Sequence, residues 1–90
     1  MRIVVTDRDI IQAAVDKADP DKLTCTSCPV AHSLARRGFR GARVYQDSIM
    51  WYTDEGLRTI PTPPVAAEWI EKYDNLHHVG PFSFELAVTL

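Results

Sequence analysis

The 90-residue sequence has two cysteines, four glycines and no apolar run long enough to cross a bilayer. A membrane-spanning helix needs about 20 predominantly apolar residues, so no membrane association is expected. Two cysteines are too few for the disulfide framework of a small secreted domain, which fits a reducing compartment. The opening Met1-Arg2-Ile3-Val4-Val5-Thr6 lacks the long apolar core and small-residue cleavage site of a signal peptide. These absences set the expectation of a cytoplasmic protein. Also missing are a Gly-rich phosphate loop, an H-E-x-x-H and a paired-carboxylate motif. Ser33 follows His32, but neighbours on a helix point in different directions and do not make a nucleophile and base. No catalytic residue and no cofactor is assigned, and a non-enzymatic protein is expected.

What is present reads as one ordinary globular domain over residues 1–90, with 46% hydrophobic and 24% charged residues. A chain this short buries only about 60–65% of its unfolded surface. The resulting thin core favours a homo-oligomer on stability grounds. Net charge is −2, but it is unevenly spread: Lys22, Arg36, Arg37, Arg40 and Arg43 occupy a stretch without a single acid, between Asp21 and Asp47. That stretch carries +5 and the rest of the chain −7. A local positive field attracts anions whatever the net charge. The pI near 5.8 argues against a protein built to coat nucleic acid.

Arg2–Val5 reads as a short strand. Thr6-Asp7-Arg8-Asp9 resembles a capping box, and Ile10, Ile11, Ala14 and Val15 form the apolar face of a helix ending near Ala18. Residues 19–27 read as a polar connection. Cys28-Pro29 opens a second helix whose stripe is Val30, Ala31, Leu34 and Ala35. Gly38 stands where a left-handed terminator belongs, with Phe39 placed to contact Leu34. Three strand-like runs follow at Ala42–Tyr45, Ser48–Thr53 and Leu57–Ile60. Asp54-Glu55-Gly56 is expected as a three-residue hairpin loop. Thr62-Pro63-Pro64 starts a third helix with Val65, Ala66, Trp69, Ile70 and Tyr73 inward. Phe82, Phe84, Leu86, Val88 and Leu90 alternate along a last strand. The expected fold is α+β: a compact two-layer β-α-α-β-β-β-α-β domain. Its sheet should be mixed or mostly antiparallel, with helices packed on one face.

Three constellations carry candidate chemistry. First, Thr26 and Ser27 lie at a helix start, an anion site by geometry and dipole, while Arg36, Arg37, Arg40 and Arg43 suit phosphate. The helix separates its two ends by about 12–15 Å at 1.5 Å per residue, so a long ligand or two subunits would be needed to use both. Alternatively the arginines only complement the helix C-terminus. Second, Cys25 and Cys28 have zinc-ligand spacing, with His32 one turn on and His77 or His78 as a fourth ligand; a redox dithiol lacks its usual buried strand. Cys28 as a small core residue is the simpler alternative. Third, Tyr45, Trp51, Tyr52 and Trp69 accompany Arg43 and Arg58. Aromatics alternating with arginine stack bases in single-strand binders, though Trp51 and Trp69 suit the core better.

The run Cys28-Pro29-Val30-Ala31-His32-Ser33-Leu34-Ala35-Arg36-Arg37-Gly38-Phe39 is similar to small phage-encoded proteins. These carry a C-P-[IV]-A-x-x-L-x-R-x-G segment, a hairpin and a Pro-started helix, and Pro81-Phe82-Ser83-Phe84-Glu85-Leu86 resembles their ending. The resemblance covers most of residues 24–86 and rests on packing and capping residues. It implies a phage protein in the cytoplasm of an infected bacterium. By analogy with that class, it also implies an anti-defence role through sequestration of a nucleotide-like immune signal. In that reading a homo-oligomer lines an intersubunit pocket with Arg36, Arg37, Arg40 and Arg43. Tyr45 stacks a base or ribose, and Thr26 and Ser27 donate hydrogen bonds. The alternatives are an inhibitor that binds a host protein through Asp7, Asp9, Asp16, Asp19 and Asp21, or a small zinc-stabilised module.

Overall fold

The computed structural model describes residues 1–88. The fold is α+β, as expected, with the order β1 (Arg2–Val5), α1 (Asp7–Lys17), α2 (Thr24–Ser27), α3 (Pro29–Arg37), β2 (Arg40–Val44), β3 (Ser48–Thr53), β4 (Gly56–Pro61), α4 (Pro64–Asp74) and β5 (Phe82–Glu85). All strand pairing is antiparallel, but it is divided between two sheets where one was expected: β1–β5 and β2–β3–β4. The last strand pairs over four residues with β1, and the Leu86 amide extends the contact to the Met1 carbonyl at 2.8 Å. Leu90 lies outside the described residues.

Local chemistry places the element ends. Thr6 closes the capping box: its hydroxyl accepts from the Asp9 amide, and the Asp9 carboxylate accepts from the Thr6 amide at 2.8 Å. Pro29 opens α3, where the Cys28 sulfur accepts from the Ala31 amide. Gly38, at φ 108°, ends it, while the Phe39 amide returns to the Leu34 carbonyl at 3.0 Å. The connection expected at 19–27 holds a further helical turn, α2, because Thr26 and Ser27 turn back onto the Leu23 carbonyl. Gln46-Asp47 is a hairpin turn closed by the Tyr45 amide and Ser48 carbonyl. A bulge lies between Arg40 and Arg43 of β2, where Gly41 takes φ +62°. Thr53 pairs with Gly56, so Asp54-Glu55 is a two-residue turn rather than a three-residue loop.

Helix α3 is the hub, touching α1, α2, β1 and β2. Val30, Ala31 and Leu34 bury between Ile3 and Val5 of β1 on one side and Ala42, Val44, Ile49 and Trp51 of the larger sheet on the other. Phe39 meets Trp51 edge-on at 5.0 Å. A run of aromatic rings, Tyr73–Trp69–Phe82–Phe84, stacks at 5.5, 4.7 and 5.6 Å and clamps α4 to β5. The Trp69 indole N–H is satisfied by the Gly80 carbonyl at 2.9 Å. Val65, expected inside, is exposed, and Ala66, Trp69 and Ile70 form the buried stripe.

Helix α1 departs most from its sequence pattern. Ile11 and Val15 are 65% and 62% exposed, whereas Asp9, Ala13 and Asp16 are buried. The reason is α3, which presents His32 and Arg36 one turn apart. Arg36 donates to Asp9 at 2.7 Å and His32 meets Asp16 at 2.6 Å, forming a polar seam between the two helices. Gln12 and Lys22 complete the Asp16 shell at 3.1 and 3.4 Å. Buried charge persists only when so paired, and no buried side-chain polar atom among the described residues lacks a partner. Burial pushes the Asp16 carboxyl up, but hydrogen bonds from Gln12, His32 and Lys22 outweigh it and hold it below its ordinary value. A lowered carboxylate contributes stability that is present above its unfolded pKa, about 3.9, and is lost as pH falls through the lower folded value. Urea midpoints should therefore fall steeply below that pH in the native sequence. In Asp16→Asn they should be lower at neutral pH and flatter in acid.

Candidate functional site

The candidate site residues fall into three places. Arg36 and Arg37, at the end of α3, face Arg2 and Val4 of β1 across a depression of about 330 Å³ that Ser33 also lines. Arg36 is already engaged there, donating to the Val4 carbonyl at 2.9 Å as well as to Asp9. Arg37 makes no ion pair among the described residues. Arg40 and Arg43 leave this neighbourhood because Gly38 reverses the chain into β2. Thr26 and Ser27 sit at the opposite end of α3, and both hydroxyls donate to the Leu23 carbonyl, at 3.0 and 2.8 Å. Their single hydroxyl protons are thus spent inside α2.

Arg40 and Arg43 reach the outer face of β2–β3–β4. Strand alternation turns Ile49 and Trp51 into the core and Met50 and Tyr52 outward, and register pairs Arg43 with Met50 and Arg40 with Tyr52. Leu57 and Thr59 of β4 complete the face by pairing with Tyr52 and Met50. The Tyr52 ring lies on Gly41: a Cβ there would come within 2.7 Å of a ring carbon. On this face the Arg43 guanidinium stands 6.0 Å from the ring centroid. Arg40 reaches Asp54 at 3.0 Å, an ion pair between exposed groups that is worth little in water. Sequence pattern placed Tyr52 among the candidate aromatics but did not rank it above Tyr45. The clue to its role is the glycine opposite it, legible only once register is known.

Tyr45 stands apart from that face. It is 40% exposed and lies near Cys25 of α2. The neighbouring Cys25 thiol, and to a lesser extent burial, raise the phenol above its ordinary value, against the opposing pull of Arg43. A depression of about 360 Å³ adjoins it, lined by Leu23, Cys25, Val44, Gln46 and Asp74 among others. The two tryptophans are packing residues: Trp51 is fully buried under Arg58, at 5.6 Å, and Trp69 belongs to the aromatic run.

The zinc constellation does not assemble. Among the described residues no three His, Cys, Asp or Glu side chains converge on a common point. His32 is turned to Asp16, and Cys28 serves as the α3 cap with its thiol pushed up to about 11, chiefly by burial. The acidic surface is also reduced, since Asp9 and Asp16 are buried in the α1–α3 seam. No helix among the described residues is long and apolar enough to cross a membrane.

No protein-family model, curated protein or solved structure matches this chain.

A thiol held so far above neutrality and capped by backbone reacts slowly. Brief alkylation of the native protein at neutral pH should label Cys25, which is partly exposed, and leave Cys28 unmodified. Peptide mapping checks this, and equal labelling of both would contradict the assignment of Cys28 to the core.

Proposed function

We propose that the protein is a non-catalytic binding module for a nucleotide-like anion, held on the outer face of β2–β3–β4. The observation that carries this reading is the Arg43 guanidinium over the solvent-facing Tyr52 ring, with Arg40 paired beside it. A planar base can stack on Tyr52 where Gly41 and Arg43 fix the ring, each such contact being worth about 1–3 kcal/mol. Arg40 and Arg43 offer planar forks for phosphate oxygens. A phosphate needs only to displace the weak Arg40–Asp54 pair. Arg36 is read here as structural, and Thr26 and Ser27 drop out as donors. Tyr45 is assigned no stacking role.

The resemblance to phage-encoded proteins supplies the biological setting of the proposal: sequestration of a nucleotide immune signal in the cytoplasm of an infected bacterium. The inhibitor reading retains only Asp7, Asp19 and Asp21 as exposed members of its acidic surface.

Native mass spectrometry with cyclic and linear nucleotides tests the proposal. A nucleotide-sized increment at one per protomer is expected for the native sequence. Arg43→Glu and Tyr52→Ala should each weaken it by about tenfold or more, a cost of roughly 1.4 kcal/mol. Arg37→Glu, in the separate depression by β1, should leave it unchanged. Indifference to every nucleotide, or loss in Arg37→Glu alone, would overturn the assignment.

A further inference from the structure

The C-x-x-C pair belongs to no metal cluster among the described residues and is not part of the nucleotide face. Cys25 lies inside α2 and Cys28 ends it, where the Cys28 amide closes the turn on the Thr24 carbonyl at 3.0 Å. One helical turn sets the two Cα atoms about 5 Å apart. That separation falls inside the range of roughly 4.4–6.8 Å that a disulfide accepts. Helix α2 is a single turn that ends on extended backbone, with Cys28 at ψ 162°, so it can tighten by the small amount an S–S bond needs. Both thiols are free, and they differ in access: Cys25 is partly exposed and Cys28 is buried.

That difference divides the two steps of thiol–disulfide exchange between them. We propose that Cys25 and Cys28 form a reversible redox site, which low-molecular-weight disulfides oxidise to an intramolecular cystine. The Cys25 thiolate, which solvent reaches, attacks one sulfur of a disulfide RS–SR. The bond from Cys25 to SR forms, the old S–S bond breaks, and RS⁻ leaves and takes up a proton. The Cys28 thiolate then attacks the Cys25 sulfur and expels the second RS⁻. Two protein thiols are thereby oxidised to one disulfide and one RS–SR is reduced to two RSH, on which the two thiol protons end.

Burial suits Cys28 to the second step. It shields the sulfur from an incoming RS–SR but not from Cys25, one turn away. Its raised pKa leaves little thiolate, and two features offset this. A thiol of high pKa is intrinsically the stronger nucleophile, and attack within one turn is intramolecular. The first turn of α3 also meets the Cys28 sulfur, with the Ala31 amide at 3.4 Å, and favours the negative charge that precedes attack. The redox site and the proposed ligand site can fail independently, since they share no residue.

Intact mass and peptide mapping after incubation with oxidised glutathione at neutral pH test it, with circular dichroism as the check of folding. Cleavage after Lys22 and Arg36 places both cysteines in one peptide, residues 23–36. In the native protein that peptide should become two hydrogens lighter and resist alkylation, and excess dithiothreitol should restore both thiols. Cys28→Ser keeps a favoured helix cap, so it should stay folded and accumulate the glutathione adduct on Cys25. Cys25→Ser should gain neither adduct nor bridge over the same time. A native protein that retains the adduct as Cys28→Ser does would overturn the proposal, because Cys28 would then not complete the exchange. So would a native protein that does not react, or a bridge that joins two chains.

Discussion

The Arg36–Asp9 ion pair and the His32–Asp16 hydrogen bond between α1 and α3 are the constraint on which the arrangement of the molecule depends. Asp9 does two jobs, capping α1 through the Thr6 amide and accepting from Arg36 across the helix interface. Asp16, two turns on, receives His32. Once these carboxylates face α3, the rotation of α1 is fixed and its isoleucine and valine must face away. Separating the pairs would strand Asp9 and Asp16 in a poorly solvated place, a cost of the same order as the burial forgone by two exposed aliphatic side chains, about 1.5–3 kcal/mol each. The seam also ties Arg36 to the scaffold, so the arginine cluster is smaller as a binding feature than it is as a sequence feature.

Features governed by neighbours in sequence were legible. The Thr6–Asp9 box, the Pro29 start and the Gly38 stop each involve residues within five positions of one another, and each stands where the sequence puts it. The direction in which α1 faces was not legible. Its apolar periodicity is real, but the residues that decide the matter, His32 and Arg36, lie 16 and 27 positions away from their partners. Periodicity reports which face is apolar; it does not report which face finds a better partner.

The same distinction governs the site. Arg36, Arg37, Arg40 and Arg43 lie within eight residues of sequence, yet the left-handed turn at Gly38 sends the first two toward β1 and the last two onto the sheet. Thr26 and Ser27 have the right chemistry at the right helix end, but an unanticipated turn of helix at Thr24–Ser27 uses their protons. Tyr52 gains its position from Gly41, eleven residues earlier and adjacent only through strand register. The division of strands into two sheets follows from α3, whose apolar side chains fill the space between β1 and the β2–β3–β4 sheet.

A double-mutant cycle on Asp9 and Arg36 tests the central claim most directly. The native protein, Asp9→Ala, Arg36→Ala and the double variant would be unfolded in urea under identical conditions. The loss of the cap is common to both backgrounds and cancels. If the seam orients α1, the two side chains should show a favourable coupling of about 1 kcal/mol or more. Additive losses, with no coupling between them, would contradict it.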